Sequence, residues 1–206
     1  MQVIAMADGV LYPMNEASRN DWLCMERLKD GDDLALNDIM ARWKKPLVSF
    51  CLRYTGNLTD ALEIAQETFV RVYNSRKRYR PTAAYSTWIF AIATNLCRMR
   101  ARWRSRHPEV FDAERETDAA ALDDSYDIEM TVPSGEADRK ALARDLETAV
   151  ESLPHDLRAA FILYEIQGYP YREVAGIVGC SEKAVERRLA RAREKLRLIL
   201  EPKWAD

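Results

Sequence analysis

The sequence predicts an all-α protein made of two small helical domains joined by an acidic linker. Apolar residues recur at three- and four-residue spacing along most of the 206 residues, as in amphipathic helices. No stretch shows the sustained two-residue alternation of a half-buried strand. Charge is arranged in blocks, although the formal net charge is only −2.

These charge blocks divide the chain into four segments. Residues 1–20 show no clear periodicity and are expected to form a flexible N-terminal extension. Residues 21–107 carry 16 basic and 9 acidic side chains, and residues 139–206 carry 13 and 11, so both predicted domains are basic. Residues 108–138 carry 1 basic and 11 acidic side chains and few apolar ones, which is typical of a linker.

Four helices are predicted in the first domain. A short helix covers residues 22–29, and the next carries Pro46, where loss of a backbone donor predicts a kink. Thr59 and Asp60 are expected to open the third helix, and the fourth begins at about Ser86. The residues of the fourth helix that are expected to face inward are Trp88, Ile92, Leu96, Met99 and Trp103.

The second domain ends in a pattern typical of a helix-turn-helix, "GCSEKAVERRLARA" over residues 179–192. Gly179 allows a tight turn, Ser181 is a good N-cap, and a thin apolar stripe follows at Val185 and Leu189. Opposite it, Lys183, Arg187 and Arg191 fall on one line, with Arg188 beside it. Such a helix fits the DNA major groove, whereas a solvated charged helix face is the alternative.

The stretch between Thr68 and Pro108 contains ten basic residues and no carboxylate, which indicates a polyanionic ligand. Seven aromatic residues are interleaved with it, a combination that proteins use to hold single-stranded nucleic acid. Core packing is the alternative for most of these rings, but Tyr79 and Tyr85 lie off any apolar stripe. We therefore expect the loop "RKRYRPTAAYSTW", residues 76–88, to accept unstacked bases.

Glu63, Gln66 and Glu67 are spaced to share one outward helix face. A metal-dependent nuclease would need a second acidic cluster in this domain, and the sequence has none. A docking surface or a plain solvated face fits the pattern better.

The sequence gives little support for a metal site, an enzyme, a cofactor or a membrane protein. The four cysteines lack C-x-x-C spacing and the two histidines stand far apart, so no metal is expected and free thiols in a reducing cytosol are predicted. No phosphate-binding glycine loop or catalytic triad pattern occurs, which disfavours an enzyme and any cofactor. No apolar run is long enough for membrane insertion, so a soluble, cytoplasmic protein is expected.

Three segments of the chain carry a family resemblance: "DALEIAQETFVRVY", "YSTWIFAIATNLCRMRAR" and "LPHDLRAAFILYEIQGYPYREVAGIVGCSEKAVERRLARAREKL". In this order and at these separations they resemble bacterial extracytoplasmic-function (ECF) sigma factors, over roughly residues 21–200. The resemblance implies a subunit that directs core RNA polymerase to promoter DNA and helps open the −10 element. It also implies an anti-sigma factor as a further partner.

The resemblance assigns roles by motif position. Residues 21–107 would form sigma region 2 and residues 139–206 sigma region 4. The implied contact sets are Glu63, Gln66 and Glu67 for polymerase; Arg76, Arg78, Tyr79, Arg80, Tyr85, Asn95, Arg98 and Arg102 for the −10 element; and Lys183, Arg187, Arg188 and Arg191 for the −35 element.

Three positions depart from the pattern that this family commonly shows. Met99 stands where an aspartate is common, Pro170 where a serine is common, and Glu186 where a lysine is common. Glu186 matters most, because a carboxylate repels phosphate and can accept a hydrogen bond only from a base donor such as cytosine N4.

The predicted linker can be compared with the spacing of the two promoter elements. Their names place them about 25 base pairs apart, or roughly 85 Å at about 3.4 Å per pair. The linker spans at most about 105 Å when extended, but only about 30 Å as a relaxed coil. A partner that holds the linker extended is therefore indicated, with a simple solubilising tether as the alternative.

Two other functions remain open from the sequence. A self-sufficient helix-turn-helix regulator would need a dimer surface or a sensor domain, and the basic, aromatic first domain is not an obvious example of either. A nucleic-acid enzyme is disfavoured by the missing second carboxylate cluster.

Overall fold

The structure is a computed structural model that describes residues 4–5, 11–12, 16–107 and 137–203. Two short strands, β1 (Ile4–Ala5) and β2 (Leu11–Tyr12), pair antiparallel. Four helices follow before residue 108: α1 (Glu16–Lys29), α2 (Ala35–Thr55), α3 (Leu58–Ser75) and α4 (Tyr85–Arg106). Helix α2 continues through Pro46, and α1 begins inside the segment predicted as an extension.

The second group of elements begins with α5 (Ala137–Ser152) and α6 (His155–Phe161), which runs on into a π-helical turn at Ile162–Ile166. Helices α7 (Tyr171–Val178) and α8 (Glu182–Leu200) follow, and a 3-10 turn covers Glu201–Lys203. The predicted all-α class is confirmed. The predicted linker lies outside the described residues, except that its last two residues, 137 and 138, begin α5.

The turn between α2 and α3 shows how local sequence sets helix ends. Gly56 ends α2 with a φ of 68°, a left-handed conformation that glycine adopts without strain. Asn57 is the N-cap of α3, and its side-chain oxygen accepts a hydrogen bond from the Asp60 backbone N–H at 2.7 Å. Helix α3 therefore begins one residue before the predicted start at Thr59, and its capping side chain belongs to Asn57.

Helices α1 to α4 enclose an aromatic and aliphatic core. Phe50 and Phe90 meet edge to face with ring centroids 5.3 Å apart, and both are fully buried. Met25, Leu28 and Ile39 are also fully buried, which ties α1 and α2 to this core.

The buried side of helix α4 overlaps the predicted one only in part. Leu96 is buried as predicted, and Trp88 and Ile92 are partly buried against the core. The fully buried residues of the helix instead include Ile89, Phe90, Ala93 and Cys97, and Met99 is 57% exposed. Trp103, also predicted to face inward, is 43% exposed. The predicted stripe lies one residue, or about 100° of helical rotation, away from the buried one, because small Ala93 and Cys97 allow close packing there.

The second domain is built around α8, which buries the predicted stripe. Val185, Leu189 and Ala192 are fully buried, and Leu196 is nearly so. These residues pack against α6 and α7, and Leu157 of α6 is also fully buried. The two domains also touch each other, because α7 packs against α4 and α5 packs against α2.

Candidate nucleic-acid interface

The arginines of α4 divide between two sides of the helix. Arg98, Arg100, Arg102, Arg104 and Arg106 occur at every second position. Since a residue turns the helix by about 100°, alternate arginines point in nearly opposite directions. One set faces α3, and the other faces away from it.

The arginines that face α3 are neutralised. Arg100 donates to Asp60 Oδ1 at 2.6 Å and to Glu63 Oε2 at 2.5 Å, and Arg104 lies 2.7 Å from Asp60 Oδ2. Asp60 is only 2% exposed, so two guanidinium groups balance one buried carboxylate. The prediction of a polyanionic ligand, drawn from the lack of carboxylates between Thr68 and Pro108, therefore does not hold for Arg100 and Arg104, because their carboxylate partners precede that stretch.

The other side of α4 carries a cationic surface that we call the α4 stripe: Asn95, Arg98 and Arg102. Asn95 and Arg102 are exposed and Arg98 is half-buried. Within the described residues no carboxylate forms an ion pair with either arginine. Because unbalanced surface cations attract polyanions, this stripe is suited to a phosphate backbone.

The loop between α3 and α4 adds three arginines, the loop arginines Arg76, Arg78 and Arg80. Arg78 and Arg80 are exposed. Arg76 lies with its guanidinium carbon 3.8 Å from the centroid of the Tyr73 ring and donates to the Tyr73 carbonyl oxygen at 2.8 Å. The structure thus places the basic loop beside α4 in the same domain.

Tyr79 and Tyr85 do not belong to this exposed surface. They are 6% and 2% exposed, and Tyr79 packs on Trp88 with centroids 4.7 Å apart. Burial raises the pKa of both phenols above the ordinary value. The expectation that these rings stack on bases is corrected, because a core aromatic offers no free ring face; they anchor the loop on α4 instead.

The helix-turn-helix has the predicted local geometry. Gly179 has a φ of 69° in the turn after α7, and Ser181 Oγ accepts from the Ala184 backbone N–H at 3.3 Å. Lys183, Arg187 and Arg191, which we call the α8 line, are all exposed. Among the described residues none of the three has an ion-pair partner.

Arg188 lies apart from the α8 line. Its side chain is 24% exposed, its Nε lies 3.7 Å from Asp156 Oδ2, and one terminal nitrogen donates to Cys180 Sγ at 3.3 Å. These contacts direct Arg188 toward α6 and the turn. Glu186 is exposed beside Arg187, so a carboxylate does flank the basic line.

Glu63, Gln66 and Glu67 share the outer face of α3, opposite buried Ile64 and Phe69. Gln66 is exposed, and Glu67 accepts from Arg71 Nε at 2.8 Å. We call this set the α3 outer face. It lies on the α3 side of α4, away from the α4 stripe, although Glu63 also pairs with Arg100.

Sequence reasoning missed Asp60, which organises the arginines of α4. Its own position in the sequence indicated only a helix start, because its partners are 40 and 44 residues away. In the part of the chain that the structure describes, no group of three or more potential metal ligands occurs, and the cysteines are free. The described helices include none long and apolar enough to cross a membrane.

Two family models match the chain, one to each helical domain. The model for "Sigma-70 region 2" matches residues 39–107, and the model for "Sigma-70, region 4" matches residues 143–196. The first match includes the basic loop and the α4 stripe, and the second includes the helix-turn-helix. Fold and site together therefore define a sigma-70 type transcription factor.

Similarity to curated proteins shows to which group of sigma-70 factors the chain belongs. The ECF RNA polymerase sigma-E factor of Escherichia coli K12 is 30% identical over 187 residues, covering 88% of this chain and 95% of the relative. The ECF RNA polymerase sigma-E factor of Haemophilus influenzae is 29% identical, and the match covers 88% of this chain and 96% of the relative. The RNA polymerase sigma-H factor of Pseudomonas aeruginosa is 27% identical, covering 88% and 94%. The chain belongs to the ECF sigma factors of bacterial RNA polymerase.

Solved structures agree on the fold. CnrH, in complex with the cytosolic domain of CnrY, superposes with a TM-score of 0.63 at 24% identity and covers 89% of this chain and 98% of that chain. The sigma factor RpoE of Bartonella quintana, in complex with the anti-sigma factor NepR, superposes with a TM-score of 0.53 at 21% identity. This match covers 91% of this chain and 98% of that chain.

Proposed function

We propose that this sigma factor docks on core RNA polymerase through the α3 outer face, holds the opened −10 element on its first domain and places α8 at the −35 element. One observation carries the proposal: two exposed cationic surfaces without carboxylate partners among the described residues lie on two separate helical units. The α4 stripe with the loop arginines is the first surface, and the α8 line is the second.

The two surfaces suit different forms of DNA. The α8 line projects from a helix-turn-helix, whose second helix fits the major groove of a duplex, where arginine can contact guanine O6 and N7. The first surface pairs a basic loop with a basic helix face. Its guanidinium groups can bind phosphates and stack on unpaired bases, while the buried tyrosines keep the loop in place.

The domain boundaries remain part of the proposal. We assign residues 21–107 to −10 recognition and polymerase docking and residues 139–206 to −35 recognition, with residues 108–138 between them. The structure suggests two changes: the first unit starts at Glu16 with α1, and the second starts at Ala137 with α5.

Family members are transcription initiation factors rather than enzymes, and we propose that this chain likewise acts by binding alone, in the cytoplasm with its polymerase. An anti-sigma factor is the further partner that we propose. Support comes from the solved relative RpoE, whose structure contains the anti-sigma factor NepR.

A reconstitution assay tests the proposed function. Purified protein with core polymerase is expected to give run-off transcripts from a subset of a promoter library, whereas core polymerase alone gives none from the same templates. A gel shift of duplex DNA without polymerase distinguishes a sigma factor from a self-sufficient helix-turn-helix regulator. Tight, sequence-specific binding by the chain alone would indicate the regulator.

The α3 outer face gives a separate prediction. Glu67→Lys is expected to weaken binding to core polymerase at least tenfold, because reversing a charge at a docking surface places like charges together. Glu26→Lys is the matched control, since Glu26 also forms a helical ion pair in the first domain, with Lys29 at 3.6 Å. Fluorescence anisotropy with labelled protein measures both affinities. Equal affinities of the two variants and the wild type would contradict the docking assignment.

A further inference from the structure

The exposed side of α8 carries an acidic residue among its basic ones. Glu186 is exposed and comes directly before Arg187 of the α8 line, in the second turn of the helix. Since each residue turns a helix by about 100°, Glu186 lies only about 60° around the axis from Lys183. Val185 and Leu189, which form the buried stripe, point toward the core. The carboxylate of Glu186 therefore borders the surface that α8 offers to DNA.

The helical neighbours of Glu186 do not neutralise it. Side chains three and four positions apart are neighbours on a helix, and at these positions stand Glu182, Lys183, Leu189 and Ala190. Glu182 has the same charge, Leu189 is buried and Ala190 is small and uncharged. Lys183 is the cation among them, and within the described ranges it forms no ion pair with Glu186. The carboxylate is therefore available to a ligand.

The other two carboxylates of α8 have a stabilising role within the protein. Glu182 follows the N-cap Ser181, and the helix dipole favours negative charge in this first turn. Glu194 accepts from the guanidinium group of Arg197 at 3.0 Å. Glu186 has neither role, because it lies beyond the first turn and has no ion-pair partner in the part of the chain that the structure describes. Stability of the helix therefore does not account for a glutamate at this position.

A carboxylate in the major groove is unfavourable unless a base donates a hydrogen bond to it. The phosphates repel it, and so do guanine O6 and N7 and thymine O4, which are all acceptors. Adenine presents a donor, N6, but beside the acceptor N7, an arrangement that suits the amide of asparagine or glutamine. Cytosine presents the N4 donor, which is the usual partner of glutamate. The chemistry of the groove therefore favours cytosine opposite an exposed glutamate.

We propose that Glu186 selects a cytosine in the −35 element by accepting a hydrogen bond from cytosine N4. The inference rests on the proposed placement of α8 at the −35 element, and it adds one base that this helix requires there. The Cα atoms of Glu186 and Arg187 are about 3.8 Å apart, close to the base-pair spacing of about 3.4 Å. Arg187 therefore reaches the same or the adjacent base pair, where arginine favours guanine. The expected element has its cytosine paired with, or next to, a guanine that Arg187 contacts.

A promoter library randomised over the −35 element, with a barcode in the transcribed region, tests this selection. Wild-type protein, Glu186→Ala and Glu186→Gln are each combined with core polymerase, and the run-off transcripts are sequenced. We expect the wild type to prefer cytosine at one position at least fivefold over every other base, the lower end of what a mismatched pair costs. Glu186→Ala should lose this preference and keep those at the other positions. Glu186→Gln should shift the same position toward adenine, because a glutamine amide pairs with adenine N6 and N7.

Glu194→Ala is the matched control for the charge. It removes one carboxylate from the exposed side of the same helix, about 12 Å further along the axis, and should reproduce the wild-type base preferences. Far-ultraviolet circular dichroism should show equal helix content for Glu186→Ala and the wild type, because Glu186 is exposed and alanine is a strong helix former. A changed preference in Glu186→Ala therefore reports the lost carboxylate rather than a disrupted helix.

The outcomes separate base selection from the proposed function. Identical base preferences in the wild type and Glu186→Ala would overturn the role of Glu186, while any −35 preference in the wild type would still support the proposed function. A uniform rise in transcription from all promoters in Glu186→Ala, with the cytosine preference retained, would also overturn it, because the carboxylate would then act only by repelling phosphates. A complete lack of wild-type transcripts would refute the proposed function, and the selection of cytosine with it.

Discussion

Replacing Arg187 and Arg191 together by alanine is expected to reduce promoter-specific run-off transcription about thirtyfold or more. Both side chains are exposed on the α8 line and have no ion-pair partner within the described residues, so their charge is available to DNA. A bidentate arginine contact with a base discriminates by about 1–3 kcal/mol, and 1.4 kcal/mol corresponds to a factor of ten. Two such contacts give the expected loss.

The matched control for this double variant is Arg197→Ala on the same helix. Arg197 is exposed too, but it is paired with Glu194 at 3.0 Å and Glu201 at 3.2 Å. We expect near-wild-type transcription from this control, and wild-type affinity for core polymerase from both variants. If the double variant instead loses polymerase binding while DNA recognition is intact, the α8 line has been assigned to the wrong partner.

Replacing Phe50 by alanine is expected to destabilise the first domain by about 3–5 kcal/mol, the usual cost of removing a fully buried phenylalanine. Phe50 is 0% exposed and contacts the rings of both Phe90 and Tyr54, so its removal leaves a cavity at the centre of the four-helix core. Equilibrium urea unfolding followed by tryptophan fluorescence measures the change. Its midpoint should fall well below that of the wild type.

Leu34→Ala is the control for the core variant, because Leu34 is an equally apolar residue that is 70% exposed. Its midpoint should stay within error of the wild type. Equal effects of the two substitutions would mean that Phe50 does not lie in a rigid core, and the packing described for α2 and α4 would have to be revised.

Local features of the site followed from neighbouring residues. The stripe through Val185 and Leu189, the Gly179 turn and the Ser181 cap all depend on contacts within a few positions of the chain. Helical periodicity and capping are short-range properties, so the sequence alone was sufficient for them. The same periodicity placed the α8 line opposite the buried stripe.

Helix α4 shows where such reasoning fails. Its apolar residues spread around much of the helix, so more than one face fits the periodic pattern. Packing against α2 and α3 selected the face with Ala93 and Cys97, where small side chains allow close approach, and left Met99 exposed. The burial of Tyr79 and Tyr85 also depends on packing between elements, since Trp88 of α4 packs on Tyr79 of the preceding loop and Trp43 of α2 contacts Tyr85.

By itself, the sequence determined the helical class, the helix-turn-helix and the separation of basic and acidic segments, because each follows from residue type and short-range spacing. Only the tertiary structure decided which arginines of α4 are available to bind DNA, because Asp60 of α3 forms ion pairs with Arg100 and Arg104 when the two helices pack together. It also decided that the two domains meet, with Arg158 donating to the Tyr54 carbonyl oxygen 104 residues away. Contacts at such separations depend on how whole helices pack, which helical periodicity does not encode.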